Sequence, residues 1–360
     1  MDSSPESLLP PLRGAVVGLG MMGRHHARLL QSSARTTFVG AVDPEGDRHG
    51  AVADAGLVFP TVEALLDRAA DERPELAVVA VPTEEHLPAV RALAGAGVSV
   101  LVEKPVAETP ERARELIALV RDAGVHGAVG HVERCNPALR ELRRRALDGQ
   151  LGRVFHIRTE RHGPFPARIR DVGVVKDLAT HDLDLVGWLG DGAVETLAAQ
   201  TQHRMGRPHE DLVNVVGRLD GGTTFTAAVD WLSPTKVRRT TVLGERGMLV
   251  ADTLTADLTF YANGEIASEW DATRTMRGVS EGDVTRYALA RREPLLVELE
   301  GVCDLVQGRP DPAVVTLEEG LAAVELADAV LRSAASGESV HVTPPGARAG
   351  ATASGEGATA

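Results

Sequence analysis

At 360 residues, with 43% hydrophobic and 25% charged residues, the chain has the length and composition for two domains with cores of their own. Its 38 Lys and Arg against 51 Asp and Glu give a net charge of −13, which argues against a nucleic-acid binder and against attraction to an anionic membrane. The two cysteines, Cys135 and Cys303, lie outside any CxxC pattern, which excludes a disulfide framework and fits a reducing cytoplasm.

The opening "MDSSPESLLPPLRG" lacks a basic n-region and an apolar h-region, so residues 1–11 are expected to be a disordered tail rather than a signal peptide. No apolar run approaches the length of a membrane span. From residue 12 to 132, apolar runs alternate with amphipathic segments. Strands are expected at 13–20, 37–43, 75–82, 98–105 and 126–132. Helices are expected after Met21, around 45–56 and 62–70, over 83–97, and over 109–124, the last with Thr109 as N-cap, Pro110 at its first position and Gly124 beyond its last turn. Continuous apolar strands separated by helices predict an α/β fold: a doubly wound parallel sheet of the Rossmann type.

The first strand-to-helix turn reads Gly18-Leu19-Gly20-Met21-Met22-Gly23, and Asp43 closes the next strand twenty residues after Gly23. A GxGxxG triplet in that context is the dinucleotide fingerprint. Gly18 permits the tight turn, Gly20 lets the backbone approach a pyrophosphate, and Gly23 permits close helix–strand packing, with Met21 and Met22 completing the cofactor-facing turn. The pyrophosphate then meets the positive end of a helix. Asp43 would accept the ribose hydroxyls and repel a 2′-phosphate, which favours NAD over NADP, although Arg48 stands close by.

Residues 133–343 are expected to form a second domain, α+β, with a large and mainly antiparallel open sheet. Short alternating runs such as "RVFHIRTERHG", "DLVNVVGRLD" and "TTFTAAVDWL" are divided by Gly and Asp turns. Helices are expected at about 173–189, 281–308 and 315–336. Residues 344–360 are small and polar and are expected to be disordered. The cleft should lie between the domains, at the carboxyl ends of the parallel strands. On the helix at 173–189, Asp177, His181 and Asp184 share one face. No further ligand at diagnostic spacing joins them, so no metal is expected. His25 and His26 are expected to pack or to face solvent.

Three stretches, "AVVGLGMMGRHHARLL", "VPTEEHLPAVRALAGAGVSVLVEKP" and "KDLATHDLDLVGWL", resemble the Gfo/Idh/MocA oxidoreductase family, and the likeness spans the chain apart from its tails. The resemblance implies that Lys104, Asp177 and His181 are catalytic. It implies that Pro82, Thr83 and His86, with Glu103 of the Glu-Lys-Pro triplet, lie on the cofactor side. It also implies that Arg134 of "GHVERCNP", with Asn136, borders the substrate. "GHVERCNPA" and "RHGPFPARIRDVGVVKDLATHDLDL" resemble the branch that oxidises the 3-hydroxyl of UDP-N-acetylglucosamine, whose keto product usually passes to an aminotransferase. Cys135 stands where that branch has phenylalanine, and Lys176 where it has an aliphatic residue.

Oxidising a secondary alcohol requires a base, a charge stabiliser and a fixed pose. A histidine with an ordinary pKa of about 6.5 suits proton traffic near neutrality. Asp177 would orient His181, and Lys104 would donate to the reacting oxygen. Either His181 or Lys104 can be the base, and the carboxylate one turn before it favours His181. Asp184 is a candidate contact to a sugar hydroxyl. Arg158, Arg161, Arg168 and Arg170, in a proline-stiffened stretch, suit a nucleoside diphosphate, unless they serve surface ion pairs. The alternatives are an inositol or free-sugar dehydrogenase with the same apparatus, and a non-catalytic NAD-binding regulatory protein. By analogy, the open sheet is expected to serve a homodimer or homotetramer.

Overall fold

The structure, a computed structural model, describes residues 9–166, 169, 172–264 and 280–342. Most of both expected tails, together with Arg168 and Arg170, lies outside the described residues. Pro10 does not hang free, since its carbonyl accepts a hydrogen bond from Gln307 at 2.8 Å.

The first layer is a seven-stranded sheet. Strands β1 (Leu12–Val17), β2 (Thr36–Val42), β3 (Val58–Phe59), β4 (Leu76–Val79), β5 (Ser99–Glu103) and β6 (Gly127–Gly130) pair in parallel, in the order β6-β5-β4-β1-β2-β3. β4 and β5 are buried along their whole length, as a parallel sheet covered on both faces requires. Helices α1 (Gly23–Ser32), α2 (Val62–Leu66), α3 (His86–Gly95) and α4 (Pro110–Asp122) supply the crossovers. The helix expected at 45–56 is absent. There the Asp47 carboxylate accepts from the backbone N–H groups of His49 and Val52, and Gly46 and Gly50 take positive φ, so side chain and glycines turn the chain where a helix would need its own ladder.

After α5 (Pro137–Leu147) comes a nine-stranded sheet. Its strands are β7 (Val154–Pro164), β8 (Val194–Gln202), β9 (Leu212–Leu219), β10 (Thr224–Asp230), β11 (Leu232–Gly244), β12 (Gly247–Asp252), β13 (Asp257–Gly264) and β14 (Ser280–Tyr287), with the short β16 (Val340–His341) at one edge. All neighbours are antiparallel except β7 and β10. The proline-stiffened stretch that carries the four arginines therefore begins inside a central strand, with Arg158 and Arg161 on β7. A π-helical turn, Val175–Ala179, runs directly into α6 (Thr180–Gly190). Ile157, Val213, Phe225, Val242 and Leu249 bury one face of the sheet against α6. On the opposite face Val216, Leu243, Tyr261 and Val284 stay exposed, and the last two are direct cross-strand partners.

The helix expected at 281–308 divides: 280–287 is an edge strand, and the helix α7 (Pro294–Val306) begins at Pro294. Proline can open a helix but cannot continue one through its interior. The chain then returns to the first layer. Leu295, Leu299, Val302 and Cys303 of α7 pack with Leu29, Leu30 and Ala41, and β15 (Val315–Thr316) adds antiparallel to the edge of β6. The second domain is thus not the unbroken 133–343 expected. α8 (Leu317–Ser336), opened by a Thr316–Glu319 capping box, places Leu317, Leu321 and Val324 in one core and Leu326, Ala327 and Val330 in the other.

Candidate active site

The glycine turn has the geometry of a backbone cradle. Gly18 has φ +93°, and a Cβ at Gly23 would stand 1.8 Å from the Gly18 carbonyl oxygen, so both positions demand glycine. Gly20 has open space where a side chain would go, and Met21 and Met22 flank it exposed. That vacant approach to the start of α1 fits a dinucleotide pyrophosphate. Asp43 lies just past β2, where its carboxylate accepts from Leu19 N–H and Glu45 N–H, both at 2.9 Å, and so braces the turn. Arg48 is ion-paired to Glu45.

From the end of β5, Lys104 crosses to the other half of the molecule. Its Nζ donates to the Asp177 backbone carbonyl at 2.6 Å and to Asp177 Oδ1 at 3.2 Å. Asp177 sits in the π turn, a distortion common at functional sites. Pro82, Thr83, Lys104, Lys176, Asp177 and Thr180 line one cavity of about 500 Å³, closed on one side by Val324 and Ala327 of α8. Thus the cofactor-side loop and the lysine share a cleft between the two sheets. His86 does not face that cleft. Its ring is buried with Nδ1 3.3 Å from the Val106 carbonyl and Nε2 3.1 Å from that of Val81, which ties the loop after β4 to the chain after Lys104.

His181, one turn beyond Asp177, is 9% exposed, and its Nδ1 has no hydrogen-bond partner. Asp177 is engaged with Lys104, so the expected carboxylate orienter of His181 is not in place. Burial first, and the Lys104 charge second, hold the imidazole pKa well below its ordinary value, so the ring is neutral near pH 7. Its ring neighbour is His131, edge-on with centroids 5.9 Å apart and likewise pushed down by burial. His131 opens the "HVERCNP" run, and the sequence reading missed it because a lone histidine before a turn carries no pattern.

Glu103, buried at the strand end, accepts from Lys104 N–H through Oε2 and pairs with His26 through Oε1. The remaining candidates lie in buried ion pairs. Arg134 makes a two-pronged contact to Asp184, at 2.8 and 2.5 Å, and a third bond to Glu319. Arg161 binds Asp182 at 2.6 Å and Glu133 at 2.8 Å. Burial alone would lower its pKa, but the two carboxylates raise it instead. Asn136 caps α5 and donates to the Thr253 carbonyl. Arg134, Arg161, Asp184 and Asn136 therefore hold one another and the scaffold. The partners Glu133 and Asp182 were not foreseen, although Arg161, in alternation with Ile157 and Thr159, points inward and needs an acid. Arg158 is exposed. Among the described residues, no group of three or more His, Cys, Asp or Glu is placed to hold a metal ion.

A parallel-sheet dinucleotide fold joined to an open sheet, with an ammonium, a carboxylate and a neutral imidazole at the junction, defines the class of NAD-binding oxidoreductases. A family model described as "Oxidoreductase family, NAD-binding Rossmann fold" matches residues 12–131, and one described as "GFO/IDH/MocA C-terminal domain" matches 139–250. The chain is 32% identical to the myo-inositol dehydrogenase Hyg17 of Streptomyces leeuwenhoekii, over 92% of this chain and 99% of that protein. It is 28% identical to a UDP-N-acetylglucosamine 3-dehydrogenase of Acidithiobacillus ferrooxidans, over 83% of this chain and 93% of that one. The crystal structure of the latter, GnnA, superposes with a TM-score of 0.76 at 25% identity, covering 90% of this chain and 98% of that one. GenD2 from gentamicin A biosynthesis, solved with NAD, gives 0.74 at 26% identity, covering 95% and 99%. The chain belongs to the Gfo/Idh/MocA oxidoreductase family.

Proposed function

We infer that this oxidoreductase moves a hydride between NAD and a secondary alcohol of a sugar, at C3 of a UDP-N-acetylhexosamine. The observation that carries the chemistry is Lys104 reaching from the nucleotide half to Asp177, one turn from a neutral buried His181. Bound NAD supplies the hydride acceptor. His181 takes the hydroxyl proton on Nε2, its Nδ1 being enclosed. Lys104 donates to the reacting oxygen and stabilises its growing negative charge. Asp177 balances the ammonium and fixes it by two contacts, so the donor does not have to reorganise during reaction. Asp43, at the end of β2, disfavours a 2′-phosphate and selects NAD over NADP.

The nucleotide sugar is supported by the similarity to the A. ferrooxidans enzyme and by Arg168 and Arg170 in the sequence. A 3-keto product would pass to an aminotransferase. The open sheet with exposed Val216, Leu243, Tyr261 and Val284 supports a homodimer or homotetramer, and two free, buried cysteines support work in the cytoplasm. An inositol dehydrogenase is the second reading. It is favoured by the 32% identity to Hyg17 and by Arg134 and Arg161 spending their donors on internal carboxylates rather than on a diphosphate.

The test is NAD reduction with UDP-N-acetylglucosamine, its uronic acid, myo-inositol and glucose, run with an aminotransferase to draw off the ketone. Turnover of the UDP-sugars alone supports the first reading, and turnover of myo-inositol alone supports the second. Replacing Arg168 or Arg170 by alanine should raise KM for the UDP-sugar about tenfold, the loss of one charge-assisted contact, and leave KM for NAD unchanged. Equal effects on both constants would remove the diphosphate argument.

A further inference from the structure

The histidine at the start of the nucleotide-binding helix has a use that neither the fold nor the proposed chemistry absorbs. His26 is 1% exposed, and its Nε2 lies 2.8 Å from Glu103 Oε1. The other oxygen of Glu103 accepts the backbone N–H of Lys104 at 3.2 Å. The helix that begins at the glycine turn is therefore linked by one imidazole and one carboxylate to the backbone of the lysine that reaches across the cleft. His26 sits seventy-seven residues from Glu103 in sequence, so the link spans the sheet rather than a local turn. A carboxylate at this depth is costly unless it is paired.

We propose that His26 is a positioning residue for Lys104, acting through Glu103: it keeps the carboxylate ionised and fixed, and the carboxylate fixes the backbone from which the ammonium extends. The surroundings leave His26 as the hydrogen-bond partner of the Glu103 carboxylate from outside the segment. Lys104 faces Glu103 from its own strand end, and His86 and His131, both buried and depressed in pKa, face it from α3 and from the turn after β6. Glu298 of α7 faces it as a second acid, one oxygen of which is buried without a partner. Burial works to raise the Glu103 pKa, yet the His26 hydrogen bond and charge, with Lys104, leave it below the usual carboxylate value. Glu298, with no such partner, is pushed well above it. Burial works to raise both acids, and the His26 and Lys104 contacts that bring Glu103 down have no counterpart at Glu298.

The sign of the stability effect follows. A carboxylate whose pKa is lowered in the fold contributes stability above its unfolded pKa, and loses it as pH falls through the folded value. Without His26, burial meets only the Lys104 contacts, so Glu103 should take up a proton at higher pH than in the parent. The melting-temperature deficit of His26→Leu, measured on the protein without cofactor, should be larger at pH 7.5 than at about pH 4.5, close to the unfolded carboxylate value. A role in packing alone gives a deficit that does not change with pH. In turnover, His26→Leu should lower kcat about ten- to hundredfold, the scale of a small misplacement at the reacting centre, while NAD binding followed by calorimetry changes little. His26→Gln, which keeps a donor, should restore most of the loss.

A pH-independent deficit, or a raised Kd for NAD with unchanged kcat, overturns the proposal. Should His26→Leu fail to fold, Glu103→Gln tests the same point, because it keeps a hydrogen bond to His26 and removes the charge. It should flatten the same pH dependence, and an unflattened curve refutes the link. The turnover arm rests on Lys104 being catalytic. Lys104→Met separates the two: full activity there removes the proposed chemistry, while the melting comparison still decides the His26–Glu103 link.

Discussion

At the scale of single residues, the site is an electrostatic arrangement in which each charge sets its neighbour's state. His181 is kept neutral by enclosure and by the Lys104 ammonium, whose own charge is met by Asp177. If His181 is the base proposed above, its depressed pKa keeps it ready to accept a proton over a wide pH range. The acid-side limb of the kcat/KM profile should therefore fall below pH 6.5, the ordinary histidine value, with a plateau through neutrality. A limb at or above that pH would show another group titrating. Replacing His181 by asparagine should lower kcat about 10²- to 10⁴-fold, the usual contribution of a general base, and remove that limb, as steady-state rates across pH will read.

At the scale of elements, the glycine turn yields a sharp contrast. Gly20→Ala adds a methyl to open space, so the protein should melt as before, while its KM for NAD rises because the methyl stands where the pyrophosphate approaches. Gly23→Ala drives a methyl into the Gly18 carbonyl and should cost about 1–3 kcal/mol of stability, as overpacking does. Thermal melts and NAD titrations of the pair distinguish cradle from packing. Much of this was legible in the sequence, because GxGxxG, the Glu-Lys-Pro strand end and the Asp-x-x-x-His helix are local patterns with fixed offsets. What was not legible depends on long-range neighbours. Arg161 looks like a phosphate ligand and Arg134 like a substrate contact until Asp182, Glu133, Asp184 and Glu319 arrive from other elements. Asp177 looks like an orienter of His181 until a lysine seventy-three residues away claims it. The missing helix at 45–56 and the strand at 280–287 were decided by an Asp47 turn and by an edge waiting beside β13.

At the scale of the whole molecule, the sheet that carries β7 to β14 has, among the described residues, one face covered by helices. Leu243, Met248, Tyr261 and Val284 stand opposite one another in register across four strands of the other. An apolar row of that kind is expected to meet a second copy. On the proposal that this row pairs two copies, Tyr261→Asp with Val284→Asp should lower the mass to that of a monomer on light scattering after gel filtration. Unchanged mass would place the contact elsewhere.

The helix α8 sends side chains into both hydrophobic interiors and also walls the cavity beside Lys104. The two halves consequently share a beam rather than a flexible tether. Heating should therefore melt them in one calorimetric peak, and two separate peaks would show that the beam does not couple them.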